Sequence, residues 1–266
     1  MKIAALQMIS GPDIGENLLR AERLIGQAAE KGAALAVLPE YFPMIGARET
    51  ERLKAAEKEG HGRIQAFLAS MAKLHSIWIA GGSLPLAATD PSRTRNSCLV
   101  YDDMGGLRAR YDKIHLFSFD NEKERYEEGK SIEAGENISV CDSPFGKIGL
   151  SICHDIRFPE LYRKMGEVDL IVVPAAFTEP TGIAHWEILL RARAVENQCY
   201  VIASAQGGVH PNGRRTHGNS MIVGPWGEIL ARMEKGEGIV MAEMDLSRIA
   251  EVRKTLPALR HRKLFS

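Results

Sequence analysis

Short apolar runs of strand length alternate with helix-spaced apolar repeats along this chain. A chain so patterned buries its hydrophobic surface by packing helices onto sheets. Lys2 to Met8 has strand length, and Ile14, Leu18, Ala21, Ile25 and Ala28 then recur at helical spacing until Gly32. Ala34 to Leu38 is a second apolar run, and a helix over His61 to His75 with a strand over Ile77 to Ala80 completes a β-α-β-α-β unit. Asn96 to Tyr101 and Leu107 to Tyr111 flank Asp102-Asp103-Met104-Gly105-Gly106, a hairpin signal. The alternation resumes with a strand at Lys147 to Ile152, a helix near Pro159 to Met165, a strand at Asp169 to Val173 and a long helix from Gly182 to Asn197. Further strands are expected at Tyr200 to Ala205, Ser220 to Val223, Ile229 to Ala231 and Ile239 to Glu243, the middle pair joined by Gly224-Pro225-Trp226-Gly227. No Pro- or Gly-rich linker divides the chain, so the fold class is α/β, with one mixed domain expected over residues 1–266. The charged stretch from Asn121 to Glu136 is the one candidate insertion and reads as solvated surface.

Charge and composition remove several classes of function. Lys plus Arg number 34 and Asp plus Glu 34 in 266 residues, so the formal net charge is zero, unlike a nucleic-acid binder with its basic surplus. At 45% hydrophobic and 26% charged residues the chain is globular rather than disordered. No run approaches the roughly 18 apolar residues of a membrane span, and the opening residues lack a secretory pattern. Cys98, Cys141, Cys153 and Cys199 are widely spaced without a CxxC pair, which predicts neither a disulfide framework nor a zinc ribbon. A cytoplasmic protein with no membrane or nucleic-acid partner is expected. His115, His185, His210 and His217 show neither HxxxH nor HExxH spacing, and no GxGxxG or GxxxxGK[ST] occurs. No metal and no other cofactor is therefore expected.

Two reactive side chains share a position type. Glu40 follows the run Ala34 to Leu38, and Cys153 follows the strand Lys147 to Ile152, so both sit at carboxyl ends of expected strands, where α/β sheets gather their ligand sites. Lys113 lies just past another strand, which can run antiparallel to the rest. A thiol needs a base or a nearby positive charge to act as a nucleophile. Glu40 has the chemistry of that base, and Lys113 with a backbone N–H after Cys153 has the chemistry to stabilise an oxyanion. The set is compatible with amide hydrolysis. Taken singly, a cysteine ending a buried strand is more often a small core residue, a glutamate there a loop carboxylate, and a lysine a solvated charge. His154 adjoins Cys153, but neighbours on an extended chain point apart, which argues against a Cys-His dyad.

The local strings narrow this choice. Leu38-Pro39-Glu40-Tyr41-Phe42, Tyr111-Asp112-Lys113-Ile114-His115-Leu116-Phe117 and Ser151-Ile152-Cys153-His154-Asp155-Ile156-Arg157-Phe158-Pro159-Glu160-Leu161 resemble motifs of the nitrilase superfamily, the carbon-nitrogen hydrolases, and occur in that family's order. The likeness extends over nearly the whole chain. It implies that Glu40 is the general base, that Lys113 stabilises the tetrahedral intermediate and that Cys153 is the nucleophile forming a thioester. It implies a second glutamate near the site, for which Tyr126-Glu127-Glu128-Gly129-Lys130 offers Glu128, with Glu127 one residue away. It further implies a four-layer α-β-β-α sandwich, paired across helices into a homodimer.

Phe177-Thr178-Glu179-Pro180-Thr181-Gly182, with residues 185–206 and 217–232, resembles a branch of that superfamily acting on deaminated glutathione. The substrate so implied is a 2-oxo acid cut to 2-oxoglutarate and cysteinylglycine. An ω-amidase acting on 2-oxoglutaramate, or a hydrolase of another small amide or carbamoyl compound, are the enzyme alternatives. A catalytically inactive partner-binding subunit is the alternative of a different class. Four residues are candidates for binding substrate. His154 stands where the family motif often has Tyr, and Phe177 and Thr178 follow a strand end. Arg157, four residues after Cys153, suits a substrate carboxylate or, equally, a salt bridge fixing the following helix.

Overall fold

The computed structural model describes residues 1–46, 50–121 and 125–264. The first half of the chain supplies β1 (Lys2–Gln7), β2 (Ala33–Val37), β3 (Trp78–Ala80), β4 (Leu84–Ala87), β5 (Thr94–Tyr101) and β6 (Leu107–Asp112). A two-stranded ribbon of β7 (Ser118–Asp120) and β8 (Arg125–Glu127) follows. The second half supplies β9 (Val140–Ser143), β10 (Gly146–Leu150), β11 (Leu170–Ala175), β12 (Tyr200–Ala205), β13 (Ser220–Val223) and β14 (Ile229–Met233), and then β15 (Gly238–Glu243) returns to the first sheet. The sheet orders are β15-β1-β2-β3-β5-β4, with β6 paired to β5, and β14-β13-β12-β11-β10-β9. Each sheet has three parallel strands at its centre, β1, β2 and β3 in one and β10, β11 and β12 in the other, with antiparallel strands outside.

Helices α1 (Ile14–Glu30), α2 (Thr50–Lys54), α3 (Arg63–His75), α4 (Pro159–Lys164), α5 (Glu179–Asn197) and α6 (Leu246–Thr255) connect or follow these strands. The side-chain period of two sorts β1 between two cores. Ile3 and Ala5 join Ile148, Leu150, Leu170, Val172 and Ile202 in the layer between the sheets, whereas Ala4, Leu6 and Met8 pack with Leu18, Leu24 and Ile25 of α1 and Leu68 of α3. α5 packs on β12 and α4, outside the second sheet. Helix, sheet, sheet, helix is the resulting stack, an α/β sandwich.

Local chemistry accounts for the element ends. Asp13 caps α1 by accepting from the Glu16 N–H at 2.9 Å. α5 begins three residues before the expected Gly182, because Thr178 takes the N-cap position and Pro180 fits the first turn, where no backbone donor is needed. β2 is continuously apolar because it lies between two parallel strands with both faces covered. One expectation is corrected. The charged stretch after Asn121 is not simply solvated surface: Glu122, Lys123 and Glu124 lie outside the described residues, but Glu128 and Ile132 are buried, and Thr94 bridges to Ile132.

Candidate active site

Two backbone corners aim the reactive groups. After β2 the chain passes Glu40 and turns at Tyr41, whose φ of 57° lies in the left-handed region. The Tyr41 N–H donates to Ser83 Oγ at 2.9 Å, and the Gln206 amide donates to the Glu40 carbonyl at 3.0 Å. Gly82, with φ of 56°, lies so close to this corner that a Cβ there would meet the Pro39 carbonyl oxygen. The second corner is Cys153, φ 51°, opening a 3-10 turn over Cys153–Arg157. The chain is therefore not extended at Cys153, contrary to the assumption behind the His154 argument. Instead the turn sends the His154 ring against Phe117 and Phe158, with centroids 5.2 and 5.4 Å away.

Asp155, fully buried, ties the second corner to the segment that follows β6. Its Oδ2 accepts from the Ile152 N–H and the Tyr111 hydroxyl, both at 2.8 Å, and its Oδ1 accepts from the His115 N–H at 3.0 Å and lies 2.7 Å from His115 Nδ1. The Cys153 turn and the segment carrying Lys113 thus hang on one carboxylate. His115 also stacks on Phe158 at 3.7 Å.

The structure brings Glu40, Lys113, Glu128 and Cys153 together. Lys113 Nζ donates to Glu40 Oε1 at 2.9 Å and to Glu128 Oε2 at 2.8 Å. Asn96 Nδ2 donates to Glu40 Oε1 at 3.0 Å. Glu128 also accepts from the Tyr41 hydroxyl at 2.6 Å and from the Phe117 N–H at 2.8 Å. Glu127 points elsewhere, to Lys130 at 2.7 Å, so Glu128 is the glutamate that reaches the lysine. Glu40 and Ala176 line the same cavity as Cys153.

Burial sets the protonation states. It pushes the Cys153 thiol up, the Glu40 carboxylate adds to that, and Lys113 opposes it, so the resting sulfur is a thiol. Burial disfavours the Lys113 ammonium, but the Glu128 and Glu40 carboxylates outweigh it and hold the lysine charged. Against the same burial, the Lys113 charge and its hydrogen bond hold Glu128 well below the usual carboxylate range. His154 is pulled down to about 4, chiefly by burial, with Lys113 and Arg157 adding to it, and is neutral at physiological pH.

A narrow cavity opens at Cys153. His154, Arg157, Phe177 and Thr178 all line it, together with Phe117, Ala176, Thr181 and Arg214. Arg157 has no carboxylate partner among the described residues; its guanidinium lies 5.2 Å from the Phe177 ring centroid, and Nη1 is 3.2 Å from His185 Nδ1. The salt-bridge alternative for Arg157 is thus not what the structure shows. Sequence reasoning missed Asp155, Tyr41, Asn96, Thr181 and Arg214. Asp155 and Tyr41 stood inside the quoted motifs, whereas Arg214 comes from the polar segment Pro211-Asn212-Gly213-Arg214-Arg215, which carries no periodic signal.

The chain is similar to several known proteins. The sequence is 43% identical over 266 residues to a deaminated glutathione amidase of Synechocystis sp., covering 97% of each chain. It is 37% identical over 279 residues to omega-amidase NIT2 of Xenopus tropicalis, covering 98% of this chain and 95% of that one. The crystal structure of the C. elegans NitFhit protein superposes with a TM-score of 0.88 at 39% identity; the match covers 98% of this chain and 65% of that longer one. With residues 2–254 matching the family model for carbon-nitrogen hydrolases, this chain belongs to the carbon-nitrogen hydrolase family.

Proposed function

We propose that this protein is a single-domain, cofactor-independent amidase that hydrolyses deaminated glutathione to 2-oxoglutarate and cysteinylglycine through a thioester on Cys153. The observation that carries the reading is that one buried carboxylate, Glu40, is bound to the Lys113 ammonium and lines the same cavity as Cys153. Lys113 and Asn96 both donate to Glu40 Oε1, so Oε2 is the oxygen left to take the thiol proton. The thiolate attacks the amide carbon, and the Lys113 ammonium with the His154 N–H stabilises the oxyanion. Protonated Glu40 passes its proton to the departing nitrogen, and the C–N bond breaks to leave the thioester. Glu40 then takes a proton from water, whose oxygen attacks the thioester, and returns it to the sulfur as the acid leaves. Glu128 holds Lys113 charged and in place, and moves no proton.

Arg157 binds a carboxylate of the acyl half in this reading. Phe177 and Thr178 form the acyl wall, and His154 offers a neutral imidazole to the substrate. The identity to the Synechocystis amidase favours deaminated glutathione. The similarity to omega-amidase NIT2 favours 2-oxoglutaramate, which presents the same acyl part, as the second reading. Product analysis by mass spectrometry with both compounds in parallel, and Cys153→Ala as control, separates them. Cys153-dependent release of cysteinylglycine is expected; turnover of 2-oxoglutaramate alone would move the assignment to ω-amidase. An R157K enzyme with unchanged KM in that assay would remove Arg157 from the substrate.

We also infer a cytoplasmic homodimer. Among the described residues no helix is long and apolar enough to cross a membrane. Ile183, Ile188 and Val195 on the outer face of α5 are exposed, as is the nearby Trp226, a composition suited to an interface core.

A further inference from the structure

The cavity holds a second guanidinium that the thioester chemistry leaves unused. Arg214, between β12 and β13, donates from Nη2 to the Ala176 carbonyl at 3.1 Å and lies 5.1 Å from the Tyr126 ring centroid. Its Nε is buried with no hydrogen-bond partner. Among the described residues neither Arg214 nor Arg157 has a carboxylate within ion-pairing distance, although 34 carboxylate side chains are present in the chain. Two unpaired guanidinium groups in one small cavity match a ligand with two carboxylates rather than one.

Their positions differ in a way that divides the work. Arg157 belongs to the turn that begins at Cys153 and packs on buried Phe177, beside the group that stays bound through the sulfur. Arg214 belongs to a segment whose residues Pro211, Asn212 and Gly213 are exposed, at the solvent side, through which an amine product departs. Ala176 links it to the chemistry, since it lines the cavity beside Cys153 while its carbonyl accepts from Arg214. Arg214 and Cys153 thus line one cavity. The terminal carboxylate of a dipeptide leaving group lies about 7 Å from the scissile nitrogen when extended. A carboxylate that far from the reacting carbon suits a guanidinium elsewhere in the cavity rather than one beside the sulfur.

We propose that Arg214 binds the carboxylate of the leaving amine, and so selects amide substrates whose amine half is itself an acid. This assignment rests on the reading of the site as a Cys153 amidase for 2-oxo acid amides. It also distinguishes the two readings of the substrate, because 2-oxoglutaramate releases ammonia and offers Arg214 nothing to bind.

The test compares deaminated glutathione with its C-terminal carboxamide, which differs only in the charge of the leaving group. Wild-type enzyme is expected to prefer the acid by ~10–100-fold in kcat/KM. R214Q is expected to bring that ratio to within about threefold of unity, and R214K to retain part of the preference because the charge stays while the planar fork is lost. A merely structural role for Arg214, holding the Ala176 carbonyl, lowers both rates and leaves the ratio at its wild-type value, which would overturn the assignment. So would a wild-type enzyme indifferent to the carboxamide, a result that needs no variant to fold. Wild-type enzyme releasing no cysteinylglycine from deaminated glutathione would overturn the functional reading and this assignment with it.

Discussion

At the scale of single residues, the site is a buried charge cluster whose members hold one another in their working states. Lys113 carries no exposed side-chain surface and faces two carboxylates, so removing either leaves charge in the interior without its compensation. Glu128→Gln is therefore expected to cost about 3–5 kcal/mol of stability at neutral pH, read by urea unfolding. The pH dependence follows from the direction of its shift. Folding lowers the Glu128 pKa below its ordinary 4.5, so its contribution is complete above that value and drains away as pH falls further. The variant should show a shallower loss of stability below about pH 4.5 than the wild type, and parallel acid limbs would contradict this. Of these residues, Glu40, Lys113 and Cys153 were legible in the sequence because each sits at a strand end inside a distinctive string. Asn96 and Arg214 were not, since a strand interior and a polar loop give no local sign of what they face.

At the scale of elements, the geometry depends on corners more than on the strands they follow. The Glu40 corner is held by a neighbour far along the chain, the Gly82-Ser83 connection between β3 and β4. Only the fold shows that Gly82 lets two backbones meet. Gly82→Ala is expected to destabilise the protein by about 1–3 kcal/mol and to lower kcat more than it raises KM, because it displaces Glu40, the proposed base, rather than the substrate pocket. Thermal unfolding with steady-state kinetics checks this; a stable variant with unchanged kcat would show that the corner tolerates a side chain. The central parallel strands were legible from their apolar runs. β4, β7, β8, β9, α2 and α6 were not, because short edge strands and short helices draw their stability from docking rather than from their own pattern.

At the scale of the whole molecule, two sheets built alike bring Glu40 from one and Cys153 from the other to a shared floor, and the loops between later strands build the walls. That division explains why family and chemistry were readable from three strings while substrate choice was not: the walls draw on the Cys153 turn, on Phe117 and Glu128 at the two ends of the β7–β8 ribbon, and on the segments after β11 and before β13. The outer face of α5 leaves Ile188 68% exposed. If α5 pairs two copies, Ile188→Glu converts a dimer to a monomer in light scattering at micromolar concentration; an unchanged mass would place the interface elsewhere. The central claim, that catalysis passes through an acyl group on Cys153, is tested most directly by acid-quenching the enzyme during turnover of deaminated glutathione and mapping the peptides by mass spectrometry. A 2-oxoglutaryl adduct on the peptide containing Cys153, absent from Cys153→Ala, is the predicted result, whereas sustained turnover by Cys153→Ala would contradict it.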